Sequence, residues 1–201
     1  MKKLLITFII LLPFLLIADE TETIGSELLT KEVLKAINSA PEHSAYPDAK
    51  ACYLFQNDEY IVHGDGKWSR DVHYLIKLYT YKGKREYSNY KFNYDTTFQS
   101  YAIEEVRAIN PDGNGGWKVN PIPKHSVNEI TPPHLTGATQ YARKKQLVLS
   151  IPAVTESTYI EIKMRFDSHS NPPTPWGGNF VLVDEDPVLW RDFAVYSRDI
   201  P

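Results

Sequence analysis

The 201-residue chain carries a single cysteine, Cys52, so no intramolecular disulfide can form and a packed core must hold the fold. Cys52 lies between Ala51 and Tyr53 at the head of an apolar run, where a lone thiol is expected to be buried and inert. A thiol nucleophile needs a histidine base beside it. His63 and His73 come nearest in sequence, but both sit in strand-like surroundings without a supporting motif. Clustered positive charge is also scarce. The formal net charge is -3, and Arg143-Lys144-Lys145 is only a short basic run, read as a solvated strand end. Neutralising a phosphate backbone takes many grouped cations, so nucleic acid is excluded as a partner. Metal-ligand spacing is lacking too, because His125, His134 and His169 are as scattered as His63 and His73. No metal and no cofactor are expected. Asp184-Glu185-Asp186 lacks the alternating ligands of a calcium loop and reads as a solvated acidic run. There is no nucleophile elbow. Glu104-Glu105 are neighbours in a strand and point to opposite faces, so they cannot share a site as a glycosidase pair does. The expectation is one exposed carboxylate and one paired with Arg107 or a cross-strand base.

Long apolar runs are missing except at the start. Met1 to Ala18 holds two lysines, an apolar stretch from Leu4 to Ile17, and an abrupt change to Asp19-Glu20. That is the pattern of a secretory signal peptide, too short for a bilayer-spanning helix. The expected product is exported, periplasmic or extracellular, with no membrane segment after cleavage. The chain then divides into 1–18 as signal peptide, 19–45 as N-terminal helix and linker, and 46–201 as one β domain, large enough for a sizeable core.

Alternation is what the sequence has in quantity. Val72, Tyr74, Ile76 and Leu78 fall on one face of an extended segment, with Asp71, His73 and Lys77 on the other. Ser88, Tyr90, Phe92 and Tyr94 repeat the pattern. The spacing predicts a long hairpin over Trp68 to Tyr94, with Lys82-Gly83-Lys84 as its turn. Ile24 to Asn38 differs, since Leu29, Val33, Ala36 and Ile37 form one helical stripe with Ser26 as N-cap and Pro41 as the stop. Further strands are expected at Ala51–Phe55 with Asp58–His63, at Gln99–Asn110, Gly115–Asn120, Phe180–Val183 and Val188–Tyr196. Lys144–Ile151 and Thr158–Phe166 are expected to pair with each other. Gly64-Asp65-Gly66 and Asn110-Pro111-Asp112-Gly113 are turn signals, and Pro121 to Pro133 is a proline-punctuated excursion. The class is all-β, a mainly antiparallel sandwich or open barrel-like sheet, with one short N-terminal helix after the signal peptide.

The order of Tyr46-Pro47-Asp48-Ala49, the alternating segment, Asn110-Pro111-Asp112-Gly113, Ser150-Ile151-Pro152 before Tyr159-Ile160-Glu161, and Pro187-Val188-Leu189-Trp190-Arg191 resembles a bacterial family. It is the domain of unknown function numbered 3857, and the likeness runs from about Ala40 to Tyr196. The resemblance implies a β-sandwich-like module preceding a transglutaminase-like, papain-like domain in exported proteins. That domain's cysteine, histidine and aspartate have no counterparts here, and Val154-Thr155-Glu156-Ser157-Thr158 lacks the glycine and aspartate often found at that connection. The function so implied is a non-catalytic module, not an enzyme, that positions or docks a transglutaminase-like domain in cis or in trans. The alternative is a free-standing module for envelope glycan or peptide. Its candidate ligand-binding residues are Trp117, beside Gly115-Gly116, and Trp176, beside Gly177-Gly178, whose rings suit a sugar or a side chain. More often such rings plug the end of a core.

Overall fold

In the computed structural model, residues 22–137, 143–169 and 185–198 are described. The strands form two sheets. The larger has the order β1-β6-β5-β9-β3-β2-β10, from β1 (Thr23–Ile24), β6 (Trp117–Pro123), β5 (Gln99–Pro111), β9 (Tyr159–Ser168), β3 (Trp68–Leu78), β2 (Ala51–His63) and β10 (Arg191–Arg198). The smaller is β4 (Asn89–Asp95), β8 (Lys144–Ser150) and β7 (Val127–Ile130) in the order β4-β8-β7. Every pairing between these strands is antiparallel except β10 on β2, which is parallel.

Alternation builds the interior. Val72, Tyr74, Ile76 and Leu78 of β3 share one buried cluster with Phe92 and Tyr94 of β4 and with Leu147 and Leu149 of β8. The two sheets therefore pack face to face as a sandwich. Each such aliphatic or aromatic side chain withdrawn from water contributes about 1.5–3 kcal/mol before entropy is counted. The outer face of the large sheet is covered at one end as well. There α1 (Lys31–Asn38) lays Val33 and Ile37 over Cys52, Leu54, Phe55, Leu75, Ile109 and Tyr159.

Several sequence-based expectations need correction. Trp68 to Tyr94 is not a hairpin. β3 is already flanked by β2 and β9, so it has no free edge for a return strand. Tyr81–Tyr87 instead forms a second helix, α2, capped by the Thr80 hydroxyl accepting from the Gly83 N–H at 3.1 Å, and it carries the chain across to the other sheet. Helix α1 begins later than its apolar stripe suggests. Ser26 is not its cap, because Ser26 is held in an extended strap by Glu105 and Arg107, and Thr30 caps the helix through Val33 N–H. Lys144–Ser150 and Tyr159–Ser168 do not pair with each other; β9 lies between β3 and β5, while β8 joins β4 and β7. Ala51–Phe55 and Asp58–His63 do run together as one extended strand, as expected, but the last strand starts at Arg191 rather than Val188. The proline-rich excursion holds the end of β6 and all of β7. The signal-peptide segment, Phe180–Val183 and Trp176 lie outside the described residues.

Candidate functional site

One end of the sandwich stays open where β2, α2 and β4 converge, and three phenols line the opening. Alternation along β4 turns Tyr90 inward beside Phe92, α2 delivers Tyr87 as its last residue, and Tyr53 rises from the start of β2. The Tyr53 and Tyr87 rings meet edge to face at 6.0 Å, and the Tyr53 and Tyr90 hydroxyls lie 3.3 Å apart. The cleft measures about 770 Å³, and Arg85, Glu86, Lys91 and Glu185 give its rim both signs of charge.

Asp186 closes the floor of this cleft and is 4 % exposed. Its Oδ1 accepts from the backbone N–H of Lys50 at 2.9 Å and of Ala51 at 3.2 Å, and its Oδ2 accepts from the Tyr87 hydroxyl at 2.7 Å. The neighbouring Glu185 meets the Lys50 ammonium at 2.9 Å, as Glu86 does at 2.8 Å. Those two hydrogen bonds, with Glu86 the larger influence, hold Lys50 well above the ordinary lysine range. Asp186 is thus not a solvated acid, whereas Glu185 stays exposed to solvent as it meets Lys50. They tie the approach to β10 onto β2 and α2, across about 135 residues of sequence that no local pattern could bridge.

Burial pushes the Tyr53 and Tyr87 phenols far above their ordinary range, and for Tyr87 the Asp186 carboxylate adds to the effect. Both remain neutral hydrogen-bonding groups at physiological pH. Neutral phenols, one fully engaged carboxylate and a mixed-charge rim suit stacking and hydrogen bonding to a polypeptide surface better than proton transfer.

A second polar cluster sits on the outer face of the large sheet. Arg107 and Glu161 are each 1 % exposed and joined through both Nε and Nη2 of the arginine at 2.8 Å. His73 Nε2 lies 2.9 Å from the other carboxylate oxygen, and Arg107 Nη1 donates to the carbonyls of Ser26 and Leu28. Burial raises the Glu161 carboxyl, but His73 and Arg107 together outweigh it and hold the group below its ordinary range. Of the adjacent acids, Glu105 lies 3.3 Å from Arg107 and Glu104 pairs with Lys163 across the strands at 2.8 Å. In the sequence each member of this cluster is a charged residue at the outward period of its strand, which by itself is indistinguishable from a surface position.

Cys52 is fully buried beneath α1, its thiol pushed up by burial first, with Tyr79 opposing. Trp117 stands at the start of β6, partly buried against the outer core and edge to face with Tyr159 at 5.5 Å. Trp176 lies outside the described residues. Among the described residues, no group of three or more His, Cys, Asp or Glu could hold a metal ion. Among them, too, no helix is long and apolar enough to cross a membrane.

Two packed sheets with one helix across the outer face and a tyrosine-lined cleft define a β-sandwich module. Residues 64–195 match the family described as Domain of Unknown Function with solved-structure structure (DUF3857), and the chain belongs to that family. The fold is also similar to part of a crystal structure of a candidate protease from Parabacteroides distasonis ATCC 8503, with a TM-score of 0.55 and 18 % sequence identity. The likeness covers 63 % of this chain and 24 % of that one, so this chain spans about a quarter of the length of the structure it matches. No curated protein matches.

Proposed function

We propose that this is a non-catalytic exported β module that docks a transglutaminase-like domain, carried in cis or in trans. The observation that carries the reading is the position of Cys52: the only thiol of the chain is sealed between the large sheet and α1, and burial disfavours its thiolate. Cysteine chemistry in an assembly containing this module would then have to come from another domain. The fold likeness supports the same reading, since the shared part is about a quarter of a candidate protease. The tyrosine-lined cleft, with its aromatic walls and two-signed rim, is the docking site in this reading. The test has two arms. The purified chain should neither cleave peptides nor cross-link amines, and a transglutaminase-like domain from the same genome should bind it in calorimetry, with Tyr90→Ala weakening the association about tenfold or more. Peptide cleavage or amine cross-linking that Cys52→Ala abolishes would overturn the proposal.

A further inference from the structure

The chain turns from β5 to β6 through Asp112-Gly113-Asn114-Gly115-Gly116, and the first four of these residues are exposed. They hold the chain's one Asn-Gly pair. An asparagine loses its amide when the backbone nitrogen of the next residue attacks the side-chain carbonyl carbon, a step that a side chain on that next residue obstructs. Here nothing obstructs it. Gly115 has no side chain, and the space where a Cβ would stand holds no atom within 4 Å beyond its chain neighbours. Asp112 Oδ1 accepts from the N–H groups of Asn114 and Gly116, both at 2.8 Å, and the Asp112 N–H donates to the Gly116 carbonyl at 3.1 Å. These bonds fix the loop, yet the nitrogen between the two donors, that of Gly115, makes no hydrogen bond among the described residues.

We propose that Asn114 is a site of spontaneous deamidation. The Gly115 nitrogen bonds to the Asn114 side-chain carbonyl carbon and gives up its proton, the carbon–nitrogen bond of the side-chain amide breaks, and ammonia leaves. Water then opens the resulting cyclic imide at either carbonyl. The product is an aspartyl residue at position 114 or its isoaspartyl isomer, whose main chain runs through the side-chain carbon. A neutral amide becomes a carboxylate, so the turn gains one negative charge close to Asp112. The isoaspartyl form also lengthens a loop that Asp112 closes onto Gly116. Neighbouring residues do not compete. Asn110 precedes Pro111, whose nitrogen has no hydrogen to lose. Asp112 precedes Gly113, but the Asn114 and Gly116 N–H groups hold its carboxyl below the ordinary range, and an ionised carboxylate resists attack.

The test incubates the purified full chain at mildly alkaline pH beside a synthetic peptide spanning Ala108 to Lys118, the fragment that trypsin releases by cutting after Arg107 and Lys118. An acidic isoform of the folded chain should accumulate at a rate within about tenfold of the peptide's, because an exposed loop has little order to undo. Mass spectrometry should place the exchange of amide for acid at Asn114, and an isoaspartyl methyltransferase should label the same fragment. Asn114→Gln, whose longer side chain has to close a larger ring, should stop the conversion. Among the described residues the Asn114 side chain makes no hydrogen bond, so circular dichroism should show this variant folded as the parent is. A folded chain whose Asn114 stays intact while the peptide converts, an acidic isoform whose change maps away from Asn114, or a conversion that continues in Asn114→Gln would each overturn the proposal.

Discussion

Replacing Asp186 by alanine tests the tether that shapes the cleft. The carboxylate serves three donors at once, the N–H groups of Lys50 and Ala51 and the Tyr87 hydroxyl, and it does so at 4 % exposure. A buried donor left without a partner costs about 1–3 kcal/mol. The Tyr87 side of the site borders the cleft, where water can replace one acceptor, so the expected loss for Asp186→Ala is about 3–5 kcal/mol. That is a large part of the roughly 5–15 kcal/mol that holds a domain together. Tyr87→Phe removes a single donor to the same carboxylate and should cost about 1–2 kcal/mol. In the double variant the shared hydrogen bond is counted once, so the two losses should fall short of additivity by about 1 kcal/mol. Urea unfolding followed by intrinsic fluorescence measures all three, with an unchanged denaturant slope showing that only the folded state was altered. Hydrogen exchange adds a local readout, since amides from Val188 to Arg198 should lose protection first. A loss below about 1 kcal/mol for Asp186→Ala, with the β10 amides still protected, would refute the tether.

Gly83→Ala should destabilise by at least about 1 kcal/mol, although alanine usually stabilises a helix by about that much, because a Cβ at this position of α2 would collide with the Lys50 carbonyl; thermal unfolding gives the sign. Glu161→Gln should cost up to about 3–5 kcal/mol by leaving buried Arg107 with only the Glu105 carboxylate, 3.3 Å away, as counter-charge, read from denaturant midpoints. Because Glu161 and Asp95 are held below their ordinary range in the folded protein, their contribution is present above an unfolded carboxylate pKa near about 4. It should fade as pH falls from there through the folded values, which urea midpoints between about pH 6 and 2.5 would show. At the alkaline end the sign reverses. Burial raises the phenols of Tyr53 and Tyr87, and burial with Glu129 pushes Tyr101 up to about 12. Their protonated form is the folded one, so stability should hold below about pH 10 and drain away above it, with the ultraviolet phenolate signal rising cooperatively on unfolding.

What is legible in the sequence follows from range. Period-two alternation is a local property, and it places Val72, Tyr74, Ile76 and Leu78 on one buried face and Tyr90, Phe92 and Tyr94 on another. It carries no information on which strand lies beside which. β3 and β4 share the sandwich interior from opposite sheets, and the alternation of each would read the same had they paired directly. The segment between them shows why the hairpin expectation fails: Lys82-Gly83-Lys84 reads as a turn, but Thr80 can cap a helix as readily as it can end a strand. Once β2 and β9 occupy both edges of β3, only the helix leads the chain away from that sheet. Buried charges escape a sequence reading for a related reason. Arg107 and Glu161 look like surface positions until each supplies the other's counter-charge, and Asp186 looks solvated until Lys50, Ala51 and Tyr87 surround it. In each case the partner lies at least 54 residues away. The cleft is therefore a product of topology: the same Tyr53, Tyr87 and Tyr90 would be three unrelated aromatics if α2 did not carry the chain from one sheet to the other.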